Sequence, residues 1–94
     1  MEYKFTNNSF DLYKDEKIVA HIGFTMIDDN QTYVVETTFV NDDYRGQGIA
    51  GKITKEFLKN VAEQNQQVLA LCPFTVEFLK RHPEYQKLVK NSEE

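Results

Sequence analysis

The sequence predicts an α+β fold, and three observations carry that prediction. The first forty residues alternate apolar and polar side chains in short runs parted by polar turns, the two-residue period of strands. From Ile49 onward apolar residues recur every four positions, the period of a helix buried along one side. A short apolar run, residues 68–72, then shows no alternation and suits a buried strand. An antiparallel meander, a strand–helix–strand unit and a C-terminal helix follow, with the crossover right-handed and its strands parallel.

Each element has its own signal. Residues 9–13 alternate around Phe10 and Leu12, and the run from Lys17 contains Ile18, Val19, Ile22, Phe24 and Ile27. Lys14-Asp15-Glu16 and Asp28-Asp29-Asn30-Gln31 are the turns between strands, since Asp and Asn bond their own backbone and tolerate turn geometry. The stretch from Thr32 to Val40 is β-branched and aromatic, and residues 3–6 offer a first edge strand. Ile49, Ile53, Phe57 and Val61 line one side of a helix expected over residues 48–64. Pro73 ends the buried strand, residues 74–81 read as a second helix, and Pro83 interrupts it before a last turn over residues 85–89. Residues 90–94 read as a frayed tail.

With 94 residues the chain suits a single domain spanning 1–94. No apolar run approaches the roughly 20 residues that span a bilayer, and residues 1–20 lack the basic start and apolar stretch of a leader. One cysteine, Cys72, excludes an internal disulfide, and two distant histidines give no zinc spacing. A small cytoplasmic protein is the expectation. The net charge of −4 argues against general nucleic-acid binding. Residues 1–44 hold nine acidic and three basic side chains, whereas residues 45–94 hold eight basic and six acidic, so an anionic ligand, if one binds, belongs with the second half; two ordinary solvated faces are the plain alternative, and by charge alone the favoured one.

The chemically informative segment runs from Val40 through Asn41-Asp42-Asp43-Tyr44-Arg45-Gly46-Gln47-Gly48-Ile49-Ala50-Gly51 to Lys52, between a strand and a helix. Gly46, Gly48 and Gly51 let a ligand approach the backbone, and the unpaired N–H groups of a helix start favour phosphate. The spacing is neither that of a P-loop nor that of a dinucleotide fingerprint; a tight strand-to-helix turn is the plain alternative.

Arg45-Gly46-Gln47-Gly48-Ile49-Ala50 resembles the Arg/Gln-x-x-Gly-x-Gly/Ala signature of the GNAT superfamily of acetyl-CoA-dependent N-acetyltransferases. The stretch from Cys72-Pro73-Phe74 to His82-Pro83-Glu84-Tyr85 resembles the C-terminal signature of a subfamily of very small GNAT-like acetyl-CoA-binding proteins. The resemblance implies a minimal GNAT fold that binds acetyl-CoA and transfers its acetyl group to an amine acceptor or transiently to Cys72. A non-catalytic coenzyme A-binding module, a sensor or carrier, is the alternative. It implies that backbone groups of Phe39 and Val40 pair with the pantetheine arm and that the N–H groups of Gly46, Gln47, Gly48, Ile49, Ala50 and Gly51 hold the pyrophosphate. Arg45 would fix the loop or a phosphate oxygen, and the acyl end would point to Cys72. Two departures stand out: Cys72 takes the place of an Asn, and Leu79 that of a Tyr that protonates the leaving thiolate.

Cys72 is thus a candidate nucleophile or proton donor, or else a small buried apolar residue. The resemblance implies a general base acting through water at Glu36, on the strand before the loop; a solvent-facing carboxylate is the alternative. Phe74 and Phe78 divide between walling the pantetheine and filling the core. His21, in an apolar strand, reads as a hydrogen-bonded structural histidine. His82, Lys80 and Arg81 are candidates for the nucleotide end of the coenzyme.

Overall fold

The computed structural model describes residues 1–90. Its sheet has five strands in sequential order: β1 (Glu2–Phe5), β2 (Ser9–Lys14), β3 (Lys17–Ile27), β4 (Thr32–Val40) and β5 (Gln67–Ala70). The first four are antiparallel, and β5 runs parallel to β4 after the crossover through α1 (Ile49–Glu63). A second helix, α2 (Pro73–Arg81), and a 3-10 segment (Pro83–Leu88) complete the chain. The mixed α+β architecture is the expected one.

The boundaries differ where backbone bonding overrides composition. β5 stops at Ala70, short of the expected 72, because the N–H groups of Leu71 and Cys72 both turn onto the Val35 carbonyl and Pro73 opens α2. Lys90, expected in the frayed tail, is anchored: its N–H bonds the Val68 carbonyl and its ammonium lies 2.6 Å from Asp28 Oδ2. Residues 91–94 of that expected tail lie outside the described residues.

The turns use left-handed backbone without glycine. Asp15 and Glu16 have φ of 52° and 69°, and Asp28, Asp29 and Asn30 have φ of 56°, 55° and 64°. Asn65, at φ 58°, ends α1: Gln66 N–H bonds Val61 O and Asn65 N–H bonds Ala62 O, the paired bonds of a Schellman motif.

One face of the sheet carries the core. Phe10, Leu12, Ala20, Ile22, Phe24, Tyr33 and Val35 join Ile53, Phe57 and Val61 of α1 and Phe78 and Leu79 of α2 in a single buried cluster. Both helices therefore pack on that face. The other face carries no helix among the described residues; its strands present Asp11, His21, Gly23, Thr25, Thr37 and Phe39. No helix among the described residues is long and apolar enough to cross a membrane.

Candidate functional site

The sheet opens between β4 and β5. The two pair from Thr32 opposite Gln67 to Val35 opposite Ala70, and there the pairing stops, although β4 continues to Val40. A bulge lies at this vertex: Phe24 of β3 opposes Val35 but Gly23 opposes Thr37, leaving Glu36 as the extra residue. The bulge reverses the phase of β4. Before it, Val35 O faces β5 and accepts from Leu71 and Cys72; after it, Asn41 N–H faces β3 and bonds Val19 O. By alternation the backbone groups of Thr38 and Val40 face the opened side, where Arg45 Nε donates to Val40 O at 3.3 Å. The backbone of Phe39, expected to face that side, turns instead to its partner His21, and its ring is 47% exposed.

Beyond Val40 the chain makes a short 3-10 turn (Asp42–Tyr44) capped by Asn41 Oδ1, which accepts from Asp43 N–H. Arg45 then braces the loop, its Nε lying 3.1 Å from Asp42 Oδ1 as well as near Val40 O. Gly46 and Gly48 adopt φ of 81° and 75°, a region that side-chain-bearing residues avoid. Gly48 is the N-cap of α1 and supplies no side chain to its first N–H groups, and no acidic residue lies in the first turn. The 15-residue helix thus begins with uncapped donors and the positive end of its dipole beside the sheet opening.

Cys72 sits at the vertex. It is the N-cap of α2, it is buried, and its Sγ lies 3.4 Å from Thr38 Oγ1 on β4. Burial pushes its thiol pKa up. Hydrogen bonding outweighs this and leaves the pKa below the ordinary thiol value, through Thr38, the backbone N–H groups of Thr75 and Phe74, and the Thr75 hydroxyl.

A cleft of 480 Å³ continues from the loop, between Gly48 and the Ala50 and Gly51 of α1 on one side and Phe74, Glu77, Phe78 and Arg81 of α2, with His82 just past it, on the other; Glu77 pairs with Arg81 at 3.6 Å. Gly51 faces the Phe78 ring: a Cβ there would stand 3.9 Å from it, an ordinary contact. Phe78 is buried and stacks on His82, with ring centroids 4.0 Å apart, while Phe74 is exposed along the cleft. A larger cavity, 640 Å³, lies across α1 between Tyr3, Lys52, Lys55, Lys59 and Tyr85. It touches neither the sheet opening nor the glycine loop, so the smaller cleft is the candidate site.

The match to a family model decides what this geometry belongs to: residues 9–88 fit the GCN5-related N-acetyltransferase family. The chain belongs to that family. A GCN5-like Staphylococcus aureus protein, solved by NMR, is 28% identical, with a TM-score of 0.74, covering 96% of this chain and 88% of that one. Tetrahymena GCN5 is 15% identical with a TM-score of 0.63, over 92% of this chain and 62% of that one. A predicted acetyltransferase from Clostridium acetobutylicum, solved with acetyl-CoA, is 15% identical with a TM-score of 0.54, over 79% of this chain and 55% of that one. At these identities the last two speak to fold alone, and this chain spans little more than half of each. No curated protein matches the chain.

For this GCN5-related chain, coenzyme A fits what is present: uncapped helix donors, an open strand edge and an adjoining apolar cleft ending at Arg81 and His82. Glu36, the bulged residue, is exposed and accepts from Thr25 Oγ1 at 3.0 Å. Leu79, in the place the resemblance gives to a Tyr, is buried in the core. Sequence reasoning missed Thr38 and Thr75 as partners of the thiol. Thr75, three residues past Cys72 at the start of an expected helix, was the available signal.

Proposed function

We propose that this protein binds acetyl-CoA in the opening between β4 and β5 and transfers the acetyl group to a primary amine, with Cys72 beside the reacting thioester. The observation that carries this reading is the alignment of three features: a strand edge released at Val35, a thiol at that vertex, and an uncapped helix start at its mouth. Acetyl-CoA supplies an acyl carbon activated as a thioester. The backbone groups of Thr38 and Val40 hold the pantetheine arm as an added strand would, and the N–H groups from Gly46 through Gly51 bind the pyrophosphate. Arg45 braces the loop. Phe74 walls the cleft, and Arg81 offers charge to the nucleotide end. Cys72 accepts the acetyl group transiently as the thiolate its hydrogen bonds favour, or in its thiol form gives its proton to the departing sulfur. Glu36 draws a cationic amine to the helix-free face.

The buried Leu79 favours a second reading, a coenzyme-binding module without turnover, because it brings no hydroxyl to the site. Mass measurement of denatured protein after exposure to acetyl-CoA separates the two. The expected result is an acetyl increment on wild type and none on Cys72→Ala. Its rate should rise with pH about a midpoint below that of an ordinary thiol, because the depressed pKa supplies thiolate at lower pH. An increment that persists in Cys72→Ala discards the relay. Release of coenzyme thiol only when an amine is added, with no label on Cys72, assigns direct transfer. Binding without label or release assigns the module.

A further inference from the structure

On the helix-free face a buried carboxylate holds a histidine that none of the roles above uses. Asp11 of β2 is 4% exposed, and its Oδ1 lies 2.6 Å from His21 Nδ1 on β3. Its other oxygen, Oδ2, accepts from Ser9 Oγ at 3.0 Å. A carboxylate so buried and doubly satisfied fixes the imidazole in one orientation, with Nδ1 committed to Asp11 and Nε2 left over. The His21 side chain remains 34% exposed.

The ring has a direction. His21 opposes Phe39, level with the part of β4 that β5 has released. Its Nε2 lies 3.2 Å from where a Cβ on Gly23 would stand, and Thr37 Oγ1 lies 2.7 Å from the same point. The imidazole therefore leans along β3 towards Gly23 and Thr37, which is towards the bulge at the vertex. Gly23 is required for this, since any side chain there would occupy the space that Nε2 and Thr37 share. Asp11 is the ionisable group in contact with the ring; across it, β4 presents Phe39 and Thr37, neither charged at working pH, with Glu36 next along the strand.

We propose that His21, oriented by Asp11, is the proton acceptor for the amine, approached from the helix-free face while the thioester lies between β4 and Cys72. This rests on the acetyl-transfer reading above and names a residue which that reading lacks. The ammonium drawn in by Glu36 first gives one proton to water; as the resulting neutral amine bonds the acetyl carbon, a second proton passes to His21 Nε2 directly or through one water, and the electron pair of the broken carbon–sulfur bond leaves on the thiolate. The imidazolium then returns the proton to water. Asp11 is a positioning residue: it touches no reactant and acts through the ring. The acceptor class follows as a primary amine carried into a face lined by Glu36 and the dyad, and kept open by Gly23.

The test has two readouts. In the free protein, two-bond 1H–15N spectra should show the His21 Nδ1–H tautomer with a bare Nε2; the opposite tautomer overturns the proposal whether or not turnover is seen. With acetyl-CoA and a primary amine, His21→Gln should lower kcat at least 100-fold and remove the acidic limb of the rate–pH profile, while acetyl-CoA affinity stays within twofold. Asp11→Asn should give a smaller loss in kcat with KM unchanged and a mixed tautomer. Wild-type kcat in His21→Gln sinks the dyad. Failure of the wild-type protein to bind acetyl-CoA would instead sink the acetyl-transfer reading, leaving the tautomer to decide the geometry.

Discussion

Replacing Gly48 by valine is expected to weaken coenzyme binding roughly 100-fold in a protein that still folds. Gly48 holds φ at 75°, where a β-branched residue is strained by about 1–2 kcal/mol, an affordable loss for a domain of this size. Nothing lies within 4 Å of the position a Cβ would take, so the free protein suffers no clash. The damage falls on the ligand side, because relief of the strain rotates the first turn of α1 and withdraws its donors. Losing two hydrogen bonds to a charged phosphate, at about 1.5 kcal/mol each or more, weakens binding by roughly 100-fold. Calorimetric titration with coenzyme A reads the affinity, and far-ultraviolet circular dichroism reads the fold. Unchanged affinity in a folded variant would remove the glycine loop from the site.

Phe57→Ala should have the largest effect on stability. Phe57 is 1% exposed and its ring meets those of Tyr33 at 5.1 Å, Phe10 at 5.8 Å, Phe24 at 6.0 Å and Phe5 at 6.2 Å, so it ties α1 to four strands. Truncating a buried Phe removes its transfer energy and leaves a cavity, together about 3–5 kcal/mol. A domain of this length has about 5–15 kcal/mol in total and loses roughly 4–8 °C of Tm per kcal/mol. Thermal melting should therefore show a fall of roughly 12–40 °C or outright unfolding. A shift of only a few degrees would mean that the aromatic cluster does not link the helix to the sheet.

What the sequence made legible was periodicity and local chemistry. β3 and β4 appear with the bounds their alternation implies, and α1 starts at the glycines and runs along its four-residue apolar period. Cys72, expected at the end of the parallel strand, lies two residues past it as the N-cap of α2, where Pro73 opens the helix. Register was not legible, because bulges shift it without a compositional mark. A two-residue turn closed by Lys14 and Lys17 would set Asp11 opposite Ala20; the irregularity between Leu12 and Tyr13 sets it opposite His21 instead. That one step is what creates the dyad. The bulge at Glu36 likewise decides that Thr38, not Phe39, turns its backbone to the opened edge, and no residue type there announces it.

In the proposed complex coenzyme A lies between the released edge of β4 and the start of α1. Titrating the isotope-labelled protein with coenzyme A and following its backbone amides by NMR tests this most directly. The largest shifts are expected at Gly46 to Gly51, with further shifts at Thr38, Val40 and Cys72. Shifts confined to Lys52, Lys55, Lys59 and Tyr85, around the larger cavity across α1, would contradict it, as would no shift at all.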